Sequence, residues 1–396
     1  MNIGLSPQQA EAQAQFREFV DREIAPAADD WHYQQRTPPE MIKRLADRGY
    51  FGLSLPPDFG GGGRDMVTLG LLMEEVGRGC SSLRSLLTVH SMVAHAIARW
   101  GTRAQKERWL PRLASGQTVA AFALSEPGVG SDAKSIATAA AAISDGFTLN
   151  GEKKWITYGQ TADLFLVFAQ CDGQPASFLV ERGTAGLTTL PIFDLLGLRA
   201  SMTARVLLAD CRIPKENLLG RIGFGISHVA GLALDLGRSH VAWGCVGIAQ
   251  ACADASILYT HNRSQFGALL KDHQLVRQMI SDMLTSVAAA RLLCLNASRL
   301  REALDPQALA ATAMAKYFSA KAAMEAAVNT VQIHGANGCS REYSAPRYLG
   351  DAKIMELIEG SSQIQQLTIA EYGYQEYGGL QRRGLHRRAD TKEQSE

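Results

Sequence analysis

The hydrophobic repeat of this 396-residue chain changes twice, and the two changes divide it into three. From Ser6 to about residue 118, apolar residues return every three or four positions, as on helices buried by one face. Near Val119 the repeat shortens to two, with Ala120, Phe122 and Leu124 on one side. From about residue 226 the helical spacing returns and holds over stretches long enough for a bundle. With 46% hydrophobic residues the chain can bury more than one core. The expected fold class is α+β. It comprises an N-terminal α-helical domain over 1–118, a compact all-β domain over 119–224, a C-terminal four-helix bundle over 225–379 and a polar tail over 380–396.

Local punctuation supports this division. Ser6-Pro7 is a capping residue followed by a first-turn proline. The helix it starts carries Phe16, Phe19, Val20 and Ile24 on one face and is expected to stop near Pro26. Further helices are expected over 39–48, 69–76, 83–100 and 103–113. The run Gly60 to Gly63 lacks the lysine and hydroxyl of a phosphate loop and follows no strand, so it reads as a turn. His90 and His95, five apart, share no helical face well; they read as packing residues, and no metal site is expected. In the middle third, Asp145-Gly146 and Asn150-Gly151 are each a two-residue hairpin signal. Strands are expected over 154–157, 164–169, 176–180 and 204–208. The absence of a strand–helix–strand repeat argues against a Rossmann nucleotide site. Long helices are expected over 225–262, 272–304 and 306–333, and again after Ser361.

A net charge of +1 gives no bulk attraction to nucleic acid or to an anionic membrane. No uninterrupted apolar run approaches the roughly 20 residues that cross a bilayer, so no membrane partner is expected. The N-terminus shows neither the basic segment nor the apolar core of a signal peptide. Seven scattered cysteines without a Cys-x-x-Cys fit reduced thiols in a cytoplasm, not a disulfide framework or a zinc site. The tail from Leu380, with Arg382, Arg383, Arg387 and Arg388, has little to bury and is expected to be disordered; an RNA-binding tail is the sharper alternative.

Chemistry concentrates in a few stretches. In 351–366, a helix with Ile354, Leu357 and Ile358 on its apolar face runs into Glu359-Gly360, and Ser361 or Ser362 can cap the helix that follows. A carboxylate at such a junction, beside free backbone N–H groups, suits a general base whose substrate becomes an enolate; a solvated loop acid is the plainer reading. The loop Ser125 to Asp132 combines hydroxyls, glycines and exposed N–H groups. Trp155 and Thr157, two apart on a strand, are expected to project from one face and hold a flat polar ring; core packing is the alternative for Trp155. Arg263-Ser264-Gln265-Phe266-Gly267 offers a cation beside an aromatic, either a pyrophosphate contact or a solvated helix end. Gln332 to Gly338 is a helix terminus with two glycines, either approaching a phosphate or forming a C-cap.

Together these stretches are specific. Leu124-Ser125-Glu126-Pro127-Gly128-Val129-Gly130-Ser131-Asp132, Asn150-Gly151-x-Lys153-x-Trp155-Ile156-Thr157, Arg263-x-x-Phe266-Gly267, Gln332-Ile333-His334-Gly335 and Ile358-Glu359-Gly360-Ser361-Ser362-Gln363-Ile364-Gln365 occur in one order. In them the chain resembles the acyl-CoA dehydrogenase family from about residue 6 to 378. The resemblance implies an N-terminal helical domain, a middle β-barrel, a C-terminal four-helix bundle, and FAD at a subunit interface of a homodimer or homotetramer. It implies that Phe122, Leu124, Ser125, Gly130 and Ser131 line the flavin and substrate side. Trp155, Ile156 and Thr157 would contact the isoalloxazine, with Thr157 near N5. Arg263, Phe266 and Gln274 would bind the adenosine-diphosphate half, together with Gln332, Ile333, His334, Gly335 and Ala336 of the neighbouring subunit. Ser361 and Gln363 would also hold FAD. Asp235 and Arg238 match the family's Asp-x-x-Arg near the thioester, with Ser131 and Gly360 also on the substrate side. Glu359 matches the catalytic base; where some members carry the base on an earlier helix, this chain has Gly237, which cannot serve.

The implied activity is FAD-dependent dehydrogenation of an acyl thioester: Glu359 takes the α-proton while a hydride leaves the β-carbon for flavin N5. Hydrogen bonds to the thioester carbonyl, from the Glu359 N–H and a flavin ribityl hydroxyl, would stabilise enolate character, and a dry cleft would raise the carboxylate's pKa. Residues 239–247 and the form Ile358-Glu359-Gly360-Ser361-Ser362 resemble the branch acting on small polar acyl groups held on an acyl carrier protein, as in hydroxymalonyl or methoxymalonyl units for polyketide biosynthesis. A short-chain acyl-CoA dehydrogenase of fatty-acid or amino-acid breakdown is the runner-up. A flavin oxygenase or a non-catalytic scaffold of the same shape is the other class. Ile358 stands where an aromatic is usual and Ala336 where glycine is common, so a fatty-acyl preference does not carry over. The electron acceptor is expected to be a flavoprotein or another oxidant.

Overall fold

The structure, a computed structural model, describes residues 4–382. Six helices form the N-terminal domain: α1 (Pro7–Phe19), α2 (Ala28–Gln34), α3 (Pro39–Asp47), α4 (Met66–Gly79), α5 (Ser81–Trp100) and α6 (Arg103–Ala114). α1 starts on a reciprocal cap, Ser6 accepting from the Gln9 N–H while the Gln9 side chain returns to the Ser6 N–H. Pro26 does not stop the run. The backbone widens into a π-turn at Val20–Ile24 and tightens into a 3₁₀ turn at Ala25–Ala27 before α2 begins. The changed pitch accommodates the proline ring while Val20 and Ile24 stay buried. The glycine run is a tight turn: a Cβ on Gly61 would stand 2.1 Å from the Leu55 carbonyl oxygen.

The middle domain is one seven-stranded sheet of β1 (Ala120–Ala123), β2 (Ala139–Ile143), β3 (Gly146–Ile156), β4 (Leu164–Cys171), β5 (Gln174–Glu181), β6 (Leu187–Pro191) and β7 (Ala204–Pro214). β4 is its centre, with β5 antiparallel along one edge and β1 and β2 parallel, end to end, along the other. From β2 the ladder continues through β3 and β7 to β6. β4 is buried on both faces, so it reads as an unbroken apolar run. Phe165, Val167 and Ala169 join the sheet's own core, with Phe147, Phe178 and Ile213. Leu164, Leu166 and Phe168 join the cluster that holds Val93, Ile97 and Trp109 of the helical domain. β2 and β6 were not expected from the sequence, which shows no apolar alternation where both strands are mostly exposed.

The β2–β3 hairpin turns at Ser144-Asp145, one residue before the expected Asp145-Gly146, and Gly146 already pairs with Ile143 as the first residue of β3. Asn150-Gly151 does not turn. It is a bulge inside β3, where the pairing with β7 slips between Leu149 and Gly151. The Asn150 side chain bridges to β7, donating to Asp210 Oδ1 at 3.2 Å and accepting from the Asp210 N–H at 2.8 Å, which holds the two strands together through the bulge.

A π-turn at Gly225–Ala230 leads into α7 (Gly231–Asn262). The hairpin β8 (Ser264–Gln265) and β9 (Ala268–Leu269) then leads to α8 (Gln274–Glu302), α9 (Ala308–His334), α10 (Ala345–Leu357) and α11 (Ser362–Arg382). α7 packs on α8 and α9 of the bundle and on α4 and α5 of the N-terminal domain, so the two helical regions share one core. α7 with its π-turn, and α8, are long and apolar enough to cross a membrane by length and composition, although polar residues interrupt both and neither holds an unbroken apolar run. The most apolar window of the first is 72% buried, the signature of a core helix. That of α8 is only 28% buried, and Leu275, Leu284 and Leu292 stand exposed on it. α11 covers 380–382 of the expected tail; the rest of that expectation lies outside the described residues.

Candidate active site

The junction between α10 and α11 is built from two successive left-handed residues, Glu359 with φ 52° and Gly360 with φ 81°. A non-glycine residue holds that conformation only when its surroundings enforce it. Two buried side chains do so here. Lys316 of α9 donates from Nζ to the Gly360 carbonyl at 2.8 Å. Gln365 donates from Nε2 to the same carbonyl at 3.0 Å and to that of Glu359 at 3.3 Å. Ser361 caps α11, its hydroxyl accepting from the Ile364 N–H at 3.4 Å. Among the described residues the Glu359 N–H donates to no carbonyl, so it is free for a ligand.

With its backbone fixed, Glu359 turns inward and its Oε2 is buried without a hydrogen-bond partner. It rests on α7 at Gly237, where a Cβ would stand 2.5 Å from Oε2 and 2.8 Å from Met92 Sδ. Gly237 is thus the space the carboxylate occupies. Burial pushes the Glu359 carboxyl up to about 7, against the opposing pull of Arg238, Arg84 and Lys316. Burial likewise brings the Lys316 ammonium down to about 8. Arg238 is half-buried with its Nε unpartnered. Asp235 is engaged elsewhere, paired with Arg301 at 2.5 Å, with Oδ1 left unpartnered. Arg84 and Lys316 were missed in the sequence. The signal was present as a cation inside an apolar helical stretch, Arg84 within Leu83 to Leu87 and Lys316 within the alanine-rich first half of α9.

Loop 125–132 is pinned to β3. The Lys154 N–H donates to the Ser125 carbonyl at 2.9 Å, and buried Lys153 pairs with Glu126 at 2.6 Å. Ser125 is half-buried, and Gly130 and Ser131 are exposed beyond it. Phe122 and Leu124 are buried in the cluster shared with the helical domain. Trp155 lies at φ 65° in a second slip of the β3–β7 pairing, and β3 ends at Ile156. The same-face argument for Trp155 and Thr157 therefore fails, because the strand is broken between them and Thr157 sits in the turn that follows. The break leaves the indole 51% exposed beside the loop. Ile156 points into the β-domain core, which leaves only its backbone for a ligand. A half-exposed indole and a pinned hydroxyl-and-glycine loop fit a flavin nucleotide, as does the half-buried Ser361. Gln363 is exposed on the first turn of α11.

The remaining candidates gather at the other end of α7. Arg263, Phe266 and Gln274 are exposed around the β8–β9 hairpin, Phe266 to 98%. Gln332 to Ala336 end α9 beside them: the Tyr259 hydroxyl donates to the His334 carbonyl at 3.3 Å and its ring stacks on His334 at 4.1 Å. Ile333 and His334 are buried, whereas Gln332, Gly335 and Ala336 face outward. Arg238 and Arg263 are separated by about 37 Å of helix, so one chain leaves this group far from Glu359.

The N-terminal, middle and C-terminal domains of acyl-CoA dehydrogenases match residues 6–117, 121–211 and 225–373. The mitochondrial short-chain specific acyl-CoA dehydrogenase of Sus scrofa is 37% identical over 367 residues, 91% of this chain and 89% of that one. Among solved structures, butyryl-CoA dehydrogenase from Megasphaera elsdenii aligns with a TM-score of 0.90 at 32% identity, covering 94% of this chain and 99% of that one. FkbI, described for biosynthesis of the methoxymalonyl extender unit of the Fk520 polyketide, aligns with a TM-score of 0.84 at 31% identity, covering 92% and 99%. Folded as they are and carrying their motifs in order, these residues belong to the acyl-CoA dehydrogenase family, FAD-dependent oxidoreductases that act on the CH–CH bond of acyl thioesters.

Proposed function

We propose that Glu359 is the base that removes the α-proton of a small polar acyl group, and that this group is carried by an acyl carrier protein. The observation that carries the reading is the Glu359 carboxylate itself: buried, unpartnered at Oε2 and held near pKa 7 beside its own free N–H. The thioester carbonyl accepts from that N–H, which stabilises negative charge on the oxygen as the α-carbon loses its proton to Oε2. Bound FAD supplies the acceptor for the β-hydride, so a carbon–carbon double bond remains. Lys316 and Gln365 act by fixing the Glu359 and Gly360 carbonyls, and Gly237 by leaving room for the carboxylate. Ser125, Trp155, Thr157 and Ser361 are the residues of this chain that would hold the flavin.

The carrier-protein part of the reading draws on the likeness to FkbI and on the form of residues 239–247 and 358–362. Anaerobic titration with a panel of acyl-CoAs and the same acyl groups on a carrier protein tests it. Carrier-bound polar acyl groups are expected to bleach the flavin at the lower concentration. Equal or better bleaching by butyryl-CoA would favour the second reading, a short-chain acyl-CoA dehydrogenase, which the Sus scrofa relative supports.

The distance between the two ends of α7 supports a homo-oligomer. Arg263, Phe266 and Gln332 of one copy would complete the FAD site of another, and the exposed leucines of α8 would be covered in the assembly. Sedimentation of the yellow protein is expected to give a dimer or tetramer. A monomer with a full flavin complement would contradict this.

A further inference from the structure

Resting on the carrier-protein reading above, we propose that an acidic acyl carrier protein docks on a patch of arginines and aromatic rings where α5 ends and α7 begins, and reaches Glu359 from there along α7. The burial of α7 shows which end is open. From Ser239 to Ala249 the helix is buried without a break, so the base is closed off on that side. Before it, Gly231, Asp235 and Arg238 fall at i, i+4 and i+7, share one face and are half-buried. Apart from its own helix backbone, a Cβ on Gly231 would have only the Ile226 carbonyl oxygen within 4 Å, at 3.6 Å, so this face borders open space. His228, in the π-turn that leads into α7, is exposed about 13 Å along the axis from Gly237, where Glu359 Oε2 rests. α5 runs antiparallel beside this stretch. Its Met92 meets Gly237, and its last residue, Trp100, meets His228.

Trp100, Phe224 and His228 form one aromatic group. Phe224 and His228 stack at 4.1 Å with their planes 10° apart, and Trp100 stands edge-on to them at 5.9 and 5.3 Å. Two exposed arginines lie over these rings, Arg99 with Cζ 5.3 Å from the Trp100 ring centre and Arg221 with Cζ 5.8 Å from that of Phe224. In the next helix Arg103 pairs with Glu107 at 2.7 Å and Arg108 with Glu181 at 2.6 Å, whereas Arg99 and Arg221 pair with no acid among the described residues. Aromatic rings and arginine are what protein interfaces concentrate at their centres, and guanidiniums already held over rings have less freedom to lose on binding. Cations without acids select a partner of opposite charge. The distance to the base decides which acidic partner this is. An acyl group attached directly to a protein seated on the patch would stop about 13 Å short of Gly237. A pantetheine arm spans that gap, so a carrier protein can sit on Arg99 and Arg221 and still present its thioester to Glu359.

FAD-loaded protein is reduced anaerobically with one short acyl group, the most active of the panel above, in three forms: on an acidic acyl carrier protein, on CoA and on pantetheine. In the double variant Arg99→Glu, Arg221→Glu, kcat/KM for the carrier form is expected to fall about tenfold or more, through KM. Added salt is expected to slow the wild type on the carrier form and to affect the variant much less. Turnover of acyl-pantetheine, which brings neither protein nor phosphate, is expected to stay at the wild-type rate and shows that fold and base are intact. Should the glutamate pair lose that turnover, Arg99→Gln with Arg221→Gln carries the same comparison, with a smaller loss expected. An equal loss on acyl-CoA and on the carrier form would assign the arginines to a phosphate common to both and overturn protein docking. An unchanged rate on the carrier form overturns it too and leaves the carrier-protein reading standing. If the wild type prefers acyl-CoA or acyl-pantetheine to the carrier form, that reading falls and this inference with it.

Discussion

Glu359→Gln is expected to bind FAD as wild type does and to reduce it about 10²–10⁴-fold more slowly when given an acyl thioester. The amide has the shape of the carboxylate, so it fills the same space over Gly237. The left-handed turn is held through backbone carbonyls by Lys316 and Gln365, which the substitution does not touch. What the amide lacks is the ability to take a proton. A neutral group also avoids the cost of burying a charge, so the variant is expected to be at least as stable as wild type. Stopped-flow loss of the flavin's visible absorbance under anaerobic conditions is the measurement. Reduction at the wild-type rate would remove Glu359 from the role of base.

The pH dependence follows from the same side chain. As the proposed base, Glu359 would act only when deprotonated, and burial holds its carboxyl up at about 7. For the free enzyme, kcat/KM should therefore climb about tenfold per pH unit below 7 and level off above it. A carboxyl at its ordinary value would give a flat profile down to about pH 5. The ascending limb should be absent in Glu359→Gln.

Much of the molecule was legible because sequence and structure obey the same short-range rules. The three-part division follows from periodicity, and the cap at Ser6 and, to within one residue, the hairpin at Asp145 follow from local chemistry. The failures lie where a distant partner decides. Asn150-Gly151 is a sound turn signal overruled by β7, which pairs on both sides of it and bonds the Asn150 side chain through Asp210. Pro26 would end an isolated α-helix, but a π-turn and a 3₁₀ turn carry the chain past it. At the site, the proposed base Glu359 is marked in the sequence by its junction with Gly360, a local feature. Arg84 and Lys316, whose charges act on it, carry no such mark, because helix contact leaves no trace in a single stretch of sequence.

Lys153→Met is expected to destabilise the FAD-loaded protein by about 3–5 kcal/mol and to weaken flavin retention, because it strands a buried carboxylate. Lys153 is fully buried, with Nζ 2.6 Å from Glu126 Oε1 and 3.1 Å from the Leu124 carbonyl. Glu126 also accepts from the Ala137 N–H at 2.6 Å, and from the Thr138 N–H at 2.9 Å and hydroxyl at 2.6 Å. Burial alone would raise the Glu126 carboxyl; these hydrogen bonds, that of Lys153 foremost, hold it below its usual range. Burial in turn brings the Lys153 ammonium down to about 8, which still leaves it charged at neutral pH. The pair ties the start of loop 125–132 to β3 next to Trp155, so its loss should loosen the wall against which the flavin is expected to lie. Thermal release of flavin fluorescence reads both effects at once. The double variant Glu126→Gln, Lys153→Met removes the stranded charge and is expected to recover part of the loss, since breaking one half of a buried pair costs more than replacing both. A single variant within about 1 kcal/mol of wild type would show that the remaining hydrogen bonds to Glu126 pin the loop unaided.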